Sequence, residues 1–211
     1  MLTQHQDSRV LSLCYNEIAH IEQQQKIVSS TTLQSLAELF VRHGVHNDFG
    51  VFLLHRHREL AHNTAMVHRR ADADTDICMM EELGRHMVSP CMFLSHAPDE
   101  FLPFEYETPP RGGDNLPSQS FLLELGSYLW DHQLQEIIGL CRVSPVDDPW
   151  IESLLSDDGD TIATRIRRSI SPLDGTITQW GFLREGEQQG QIRIKLLRAC
   201  KESESGGHFR T

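Results

Sequence analysis

Hydrophobic positions along this chain switch period several times, and each switch marks an element. Over residues 6–27, Val10, Cys14, Ile18 and Ile21 recur every three or four positions, and Leu11 widens the stripe. That spacing predicts an amphipathic helix. Leu33, Leu36, Ala37, Phe40 and Val41 repeat the pattern. Thr31 and Gln34 are placed as a capping box, and Gly44 as the αL residue that ends the helix. The period then drops to two. Val51, Leu53, His55 and His57 alternate with Phe52, Leu54, Arg56 and Arg58, as in a strand that starts in a core and emerges at a polar rim. A short turn leads to residues 64–69, which predicts a first β-hairpin.

The acidic run at 71–76 reads as an exposed loop. Strands are predicted at 91–96 and 101–107, the second an edge strand because of Pro103. Proline and glycine punctuate a long loop over 108–118. Phe121, Leu122, Leu125, Leu129 and Trp130 predict a third helix over 118–132. Strands follow at 134–143, 161–170, 176–183 and 191–199. In the last, Ile192, Ile194 and Leu196 point to a core while Arg193 and Lys195 face water. No repeat of fixed period is visible. The order predicts an α+β fold: an antiparallel sheet with two N-terminal helices and one central helix packed on one face. One α+β domain is expected over residues 1–200, with a disordered tail over 201–211.

Charge and cysteines narrow the function classes. With 19 basic and 30 acidic residues the net charge is −11, which opposes a phosphate backbone and disfavours nucleic acid as a partner. There is no apolar run of membrane-span length and no basic-then-apolar leader, so a soluble cytoplasmic protein with no membrane partner is expected. Cys14, Cys78, Cys91, Cys141 and Cys200 are odd in number and widely spaced, which predicts reduced thiols rather than a disulfide framework. Cys78, Cys91 and His96 match no standard zinc spacing. Asp72, Asp74 and Asp76 lack the glycine and distal glutamate of a calcium loop. A phosphate loop, a nucleophile elbow and a dinucleotide fingerprint are all missing.

The candidate chemistry lies in histidine. Four of the chain's twelve, His43, His46, His55 and His57, fall between residues 43 and 58. His55 and His57 share a strand face, close enough to converge on one divalent metal such as zinc or to act as acid and base on one substrate. They are the predicted catalytic residues and the predicted metal ligands. His43, His46, Arg56 and His68 are the predicted ligand-binding residues around them, and Glu59 is a further source of a third ligand. The blander reading is a solvated strand end. The function expected is a small-molecule-binding protein or enzyme with a histidine-lined pocket at the end of the first hairpin. The alternative is a non-enzymatic interaction module, self-pairing into a homodimer through an exposed sheet edge.

The pattern HGVHNDFGVFLLHRHREL at residues 43–60, with FLLELGSYLWDHQLQEIIGLCRV and TITQWGF further on, resembles a group of small uncharacterised proteins from filamentous fungi. The resemblance covers most of residues 30–200. It implies no established activity and no site residues. It implies that the histidine strand and the Trp180 strand belong to one domain.

Overall fold

Ser29 and Ser118 each accept a hydrogen bond from the backbone N–H three residues on, Thr32 at 3.0 Å and Phe121 at 3.3 Å. That is how a side-chain oxygen satisfies the open donors of a helix start. The helices so opened are α2 (Ser30–Arg42) and α3 (Gln119–Asp131), preceded by α1 (Ser8–Glu17). The cap of α2 is thus Ser29 rather than Thr31. Both helices end on histidine caps, His43 and His132, followed by a left-handed residue: Gly44 at φ 69° and Gln133 at φ 56°. Both then enter a strand through the same turn, Phe49 N–H to Val45 O at 2.9 Å and Ile138 N–H to Leu134 O at 2.8 Å.

The computed structural model describes residues 8–19, 28–84, 87–109, 116–143, 149–155, 159–166, 175–185 and 191–201. The predicted tail, the predicted turn at 186–190 and parts of the first helix and of the 108–118 loop lie outside those residues. The strands are β1 (Phe49–Leu53), β2 (Thr64–Arg70), β3 (Thr75–Glu82), β4 (Ser89–Ala97), β5 (Glu100–Thr108), β6 (Ile138–Arg142), β7 (Trp150–Leu154), β8 (Thr161–Arg165), β9 (Thr176–Glu185) and β10 (Gln191–Cys200). No helix among the described residues is long and apolar enough to cross a membrane.

These strands close into a barrel in the order β1-β6-β4-β5-β2-β3-β8-β7-β10-β9, with β9 returning to β1. The expected α+β fold is therefore corrected: the molecule is a closed, mostly β barrel, not an open antiparallel sheet with helices on one face. Two pairings are parallel, β2 with β5 and β7 with β10. The predicted hairpin is corrected too. β1 pairs with β6 and β9, while β2 pairs with β3 and β5. The acidic run is exposed over 71–73, as expected, but its last two residues join the barrel: β3 starts at Thr75 and Asp76 is buried.

The barrel is one unit built twice. Residues 29–54 and 118–143 carry the same elements at a constant offset, which equates Ser29 with Ser118, His43 with His132 and Gly50 with Gly139. The two stretches meet antiparallel with Val51 opposite its own counterpart Leu140, so a pseudo-twofold axis passes through that pair. A second seam, β3 against β8, lies on the other side of the barrel. Register and bulges repeat as well: Phe93↔Pro103 and Met92↔Glu105 in β4–β5 recur as Trp180↔Leu196 and Gln179↔Arg198 in β9–β10. Each helix–strand arm crosses to the other half. β1 lies between β6 and β9, β6 between β1 and β4, and α2 packs on β9 and β10 while α3 packs on β4 and β5.

Close approach at the arms requires glycine. A Cβ on Gly50 would collide with the Trp180 carbonyl oxygen, and one on Gly139 would lie 2.7 Å from the equivalent Phe93 oxygen. Leu36, Phe40, Phe121 and Leu125 pack with Phe49, Val51, Leu140 and Phe182 into a core between the helices and the outer face of the barrel. Phe40 contacts Phe121 and Phe182 edge-on, each at 4.9 Å.

Candidate functional site in the barrel interior

β1 ends at Leu53, and the chain then passes His55 and His57 into the barrel. α1 holds this segment in place. Asn16 donates to the Leu60 carbonyl (3.0 Å) and accepts from the Leu60 N–H (2.7 Å). The Tyr15 hydroxyl accepts from the His57 N–H at 3.2 Å, and its ring stacks on Phe104 at 4.7 Å. Burial is the largest influence on the Tyr15 hydroxyl, pushing its pKa well above the ordinary value, with the Glu105 charge adding to it.

His55 and His57 are both buried, their rings edge-on with centroids 4.8 Å apart. The His55 Nδ1 and the Leu53 carbonyl oxygen are 2.7 Å apart. A carbonyl only accepts, so Nδ1 carries the proton and Nε2 keeps a lone pair. Nε2 is buried and meets no hydrogen-bond partner. His57 Nε2 lies 3.8 Å from Glu152. Burial lowers the His57 pKa, and the Glu152 charge only partly offsets this, so the ring is a neutral base at neutral pH. The two imidazoles line a cavity with Phe104, Glu105, Glu152 and Arg198, whose free volume is about 10 Å³, room for roughly one water.

The wall of this chamber is charged, and its charges follow the pseudo-twofold. Register equates His68 with Glu152, Glu105 with Arg198, and Asp76 with Thr161. In one half His68 Nε2 bonds Glu105 at 2.6 Å and Nδ1 lies 3.6 Å from Asp76. In the other, Arg198 bonds Glu152 at 3.3 Å and Thr161 donates to the same carboxylate at 2.7 Å. The same geometry thus carries cation and anion exchanged. Arg198 also lies 3.5 Å from Asp76. β10 and β3 are not neighbours, so that contact runs through the interior.

Burial opposes the His68 imidazolium, but the Cys78 sulfur and hydrogen bonds to Asp76 and Glu105 outweigh it and hold the ring well above its usual range. Burial likewise opposes the Glu105 and Glu152 carboxylates. His68 pulls the first below the ordinary range, and Arg198 with His57 pulls the second far below it. Burial pushes the Cys78 thiol up to about 12. Two groups of metal-ligating side chains stand within this network: His55, Glu152 and Cys200, and His68, Cys78 and Glu105.

Of the predicted site residues, His55, His57 and His68 come together here. His43 and His46 precede β1 and so stand at its other end, roughly 16 Å away for a strand of this length. His43 bonds Glu124 at 2.6 Å beside the Arg42–Glu124 pair, and its ring meets Phe121 edge-on. His46 is lowered by burial and then by Arg184. Arg56 pairs with Glu59 at 3.2 Å. Glu105, Glu152, Arg198 and Tyr15 were not among the predicted residues. The sequence carried no signal for Glu105, since a glutamate between Phe104 and Tyr106 is what a strand with one wet face shows.

Set against family models, curated proteins and solved structures, the chain matches none of them.

Proposed function

We propose that this chain is a small-ligand-binding protein with catalytic capacity for imidazole-directed proton transfer, its site the chamber inside the barrel. One observation carries the reading: the lone pair of His55 Nε2, buried and without a donor. A buried polar atom left unsatisfied costs about 1–3 kcal/mol, so an occupant that fills that valence is stabilised by the same amount. His57 supplies a second neutral base, and Glu105 and Arg198 supply fixed charge of both signs. The free volume of about 10 Å³ is far below the roughly 300–1,000 Å³ of drug-sized pockets. The occupant is therefore water-sized, or enters when α1 releases its hold on the 55–60 segment. The reading includes a cytoplasmic location, supported by the free thiols of Cys14, Cys78, Cys91 and Cys141.

Nitrogen-15 spectra of the histidine rings test this. Full-length protein is titrated with formate, bicarbonate, ammonium and imidazole. A saturable shift of the His55 and His57 nitrogens, lost in His55→Phe, supports the chamber as a binding site. Rings that stay silent to all of these refute it and favour the interaction module. That reading expected an exposed sheet edge, which the closed barrel does not offer; exposed Leu123 and Trp130, two turns apart on α3, are the apolar surface left to it.

A further inference from the structure

We infer that His55 and Glu152 in the chamber wall, with the neighbouring Cys200, form a mononuclear metal centre for a borderline divalent cation of the zinc class, with Nε2 as the histidine donor. The inference rests on reading the chamber as an occupied site. The donor atoms of these three buried residues lie within 4.8 Å of one another. Bonds of about 2.0–2.3 Å place tetrahedral donors roughly 3.3–3.8 Å apart, so the three close on one ion with side-chain shifts of about an ångström.

His55 is oriented for this role. Its Nδ1–H donates to the Leu53 carbonyl, the outer hydrogen bond that fixes the tautomer of metal-binding histidines. The opposite nitrogen is buried and has no hydrogen-bond partner in the protein, an observation independent of the donor spacing. The donor set names the class. Nitrogen, oxygen and sulfur together suit a zinc-like ion, whereas calcium and magnesium take oxygen alone. Three protein ligands beside a water-sized space form an open site, and His57, which lines that space, is the base available to a bound water. The sequence pointed to His55 and His57 as joint ligands; this assignment uses His55 alone and leaves His57, whose ring lies 4.8 Å from that of His55, as the neighbouring base.

The second cluster, His68, Cys78 and Glu105, is a poorer host. Both nitrogens of His68 already face carboxylates, Glu105 at 2.6 Å and Asp76 at 3.6 Å, so no lone pair is left to give. Charge closes at the first cluster. The dication displaces the Cys200 thiol proton to solvent, forming one metal–sulfur bond for one S–H bond broken. The thiolate and the Glu152 carboxylate then neutralise the ion, and Asp76 faces Arg198 at 3.5 Å.

Cobalt(II) is the probe, because a cobalt–sulfur bond gives a charge-transfer band in the near ultraviolet. Metal-free full-length protein titrated with cobalt is expected to saturate at one ion per chain, to show that band, to release one proton per ion and to yield the cobalt to zinc. Cys200→Ser is expected to abolish the band, and His55→Gln to weaken binding roughly a hundredfold or more. Cys78→Ser is expected to leave the band in place. Circular dichroism checks that the variants fold. If Cys200→Ser does not, zinc protection of the wild-type Cys200 against alkylation, read by mass spectrometry, decides instead. Absence of stoichiometric uptake, a band that survives Cys200→Ser, or one lost in Cys78→Ser overturns the assignment. Histidine-ring shifts with formate or imidazole but no cobalt uptake would overturn the metal centre and leave the ligand-binding reading standing.

Discussion

Replacing His68 by methionine isolates the energetics of the buried charge network. The substitution removes the imidazolium that bonds Glu105 at 2.6 Å, in a place where the two side chains are 5% and 3% exposed. Asp76 keeps Arg198 at 3.5 Å, so Glu105 bears the loss. A buried carboxylate without a partner relieves itself by taking a proton. From an ordinary pKa of 4.5, protonation at pH 7 costs about 3.4 kcal/mol, at 1.36 kcal/mol per unit. That lies within the roughly 3–5 kcal/mol observed when one partner of a buried pair is deleted. It is a large part of the roughly 5–15 kcal/mol that holds a domain together. The penalty is expected to be about 3–4 kcal/mol at pH 7 and to shrink by more than half at pH 5, where the proton is easily found. His68→Met with Glu105→Met is expected to be less destabilised than His68→Met alone, because no orphan charge remains. Urea unfolding at both pH values, read by fluorescence of Trp150 and Trp180, measures all three variants. A His68→Met penalty below about 1 kcal/mol, or one that does not change with pH, would show that solvent reaches Glu105 freely and that its burial does not penalise the unpaired charge.

Two further predictions concern pH and the helix ends. His68 is held above its ordinary 6.5, so its contribution is complete below that pH and is lost as pH rises through its elevated value. Glu105 and Glu152, held below 4.5, contribute fully above that pH and lose their share as it falls. Thermal unfolding against pH is therefore expected to peak between the two limits, with the alkaline decline absent in His68→Met. Gln133 occupies at φ 56° the left-handed position that Gly44 fills at φ 69°. Gln133→Gly is expected to stabilise by about 0.5–1 kcal/mol and Gly44→Ala to destabilise by a similar amount, both read as shifts of the urea midpoint.

Local elements were legible in the chain and their assembly was not. The apolar stripes of α2 and α3 and the alternation of β1, β9 and β10 follow from side-chain periodicity, which acts over a few residues. Closure depends on β1 meeting β6 and β9, partners far apart in sequence that no local pattern encodes. The duplication was hidden because few positions stayed identical: Ser29 and Ser118, Leu33 and Leu122, Leu36 and Leu125, His43 and His132, Gly50 and Gly139. Asp76, in a run read as an exposed loop, is buried in the interior network with His68, Glu105 and Glu152, while Phe49, Val51 and Leu53 of β1 and Ile138 and Leu140 of β6 pack with the helices. Register shifts at Leu196, Arg198 and Ala199 interrupt the alternation read in β10, next to Arg198. The pair His55 and His57 was found because histidine is rare enough to stand out. Their partners Glu152 and Arg198 were not, because a glutamate or an arginine in a strand is ordinarily a solvated residue.

Exchange of the helix–strand arms gives the link between β5 and α3 a role beyond connection. β1 finds both its neighbours in the second half and β6 both of its own in the first, so neither half can complete its sheet by itself. In separate chains that completion would be a bimolecular event, favoured by concentration and lost on dilution. One covalent tether makes it unimolecular, at an effective concentration in the millimolar range for a short linker. Assembly of the barrel is thereby freed from how much protein the cell holds. The freedom extends to composition: Arg198 in one half stands at the place of Glu105 in the other and reaches Asp76 across the interior at 3.5 Å, an exchange of charge between matching places that two identical subunits related by a true axis could never present.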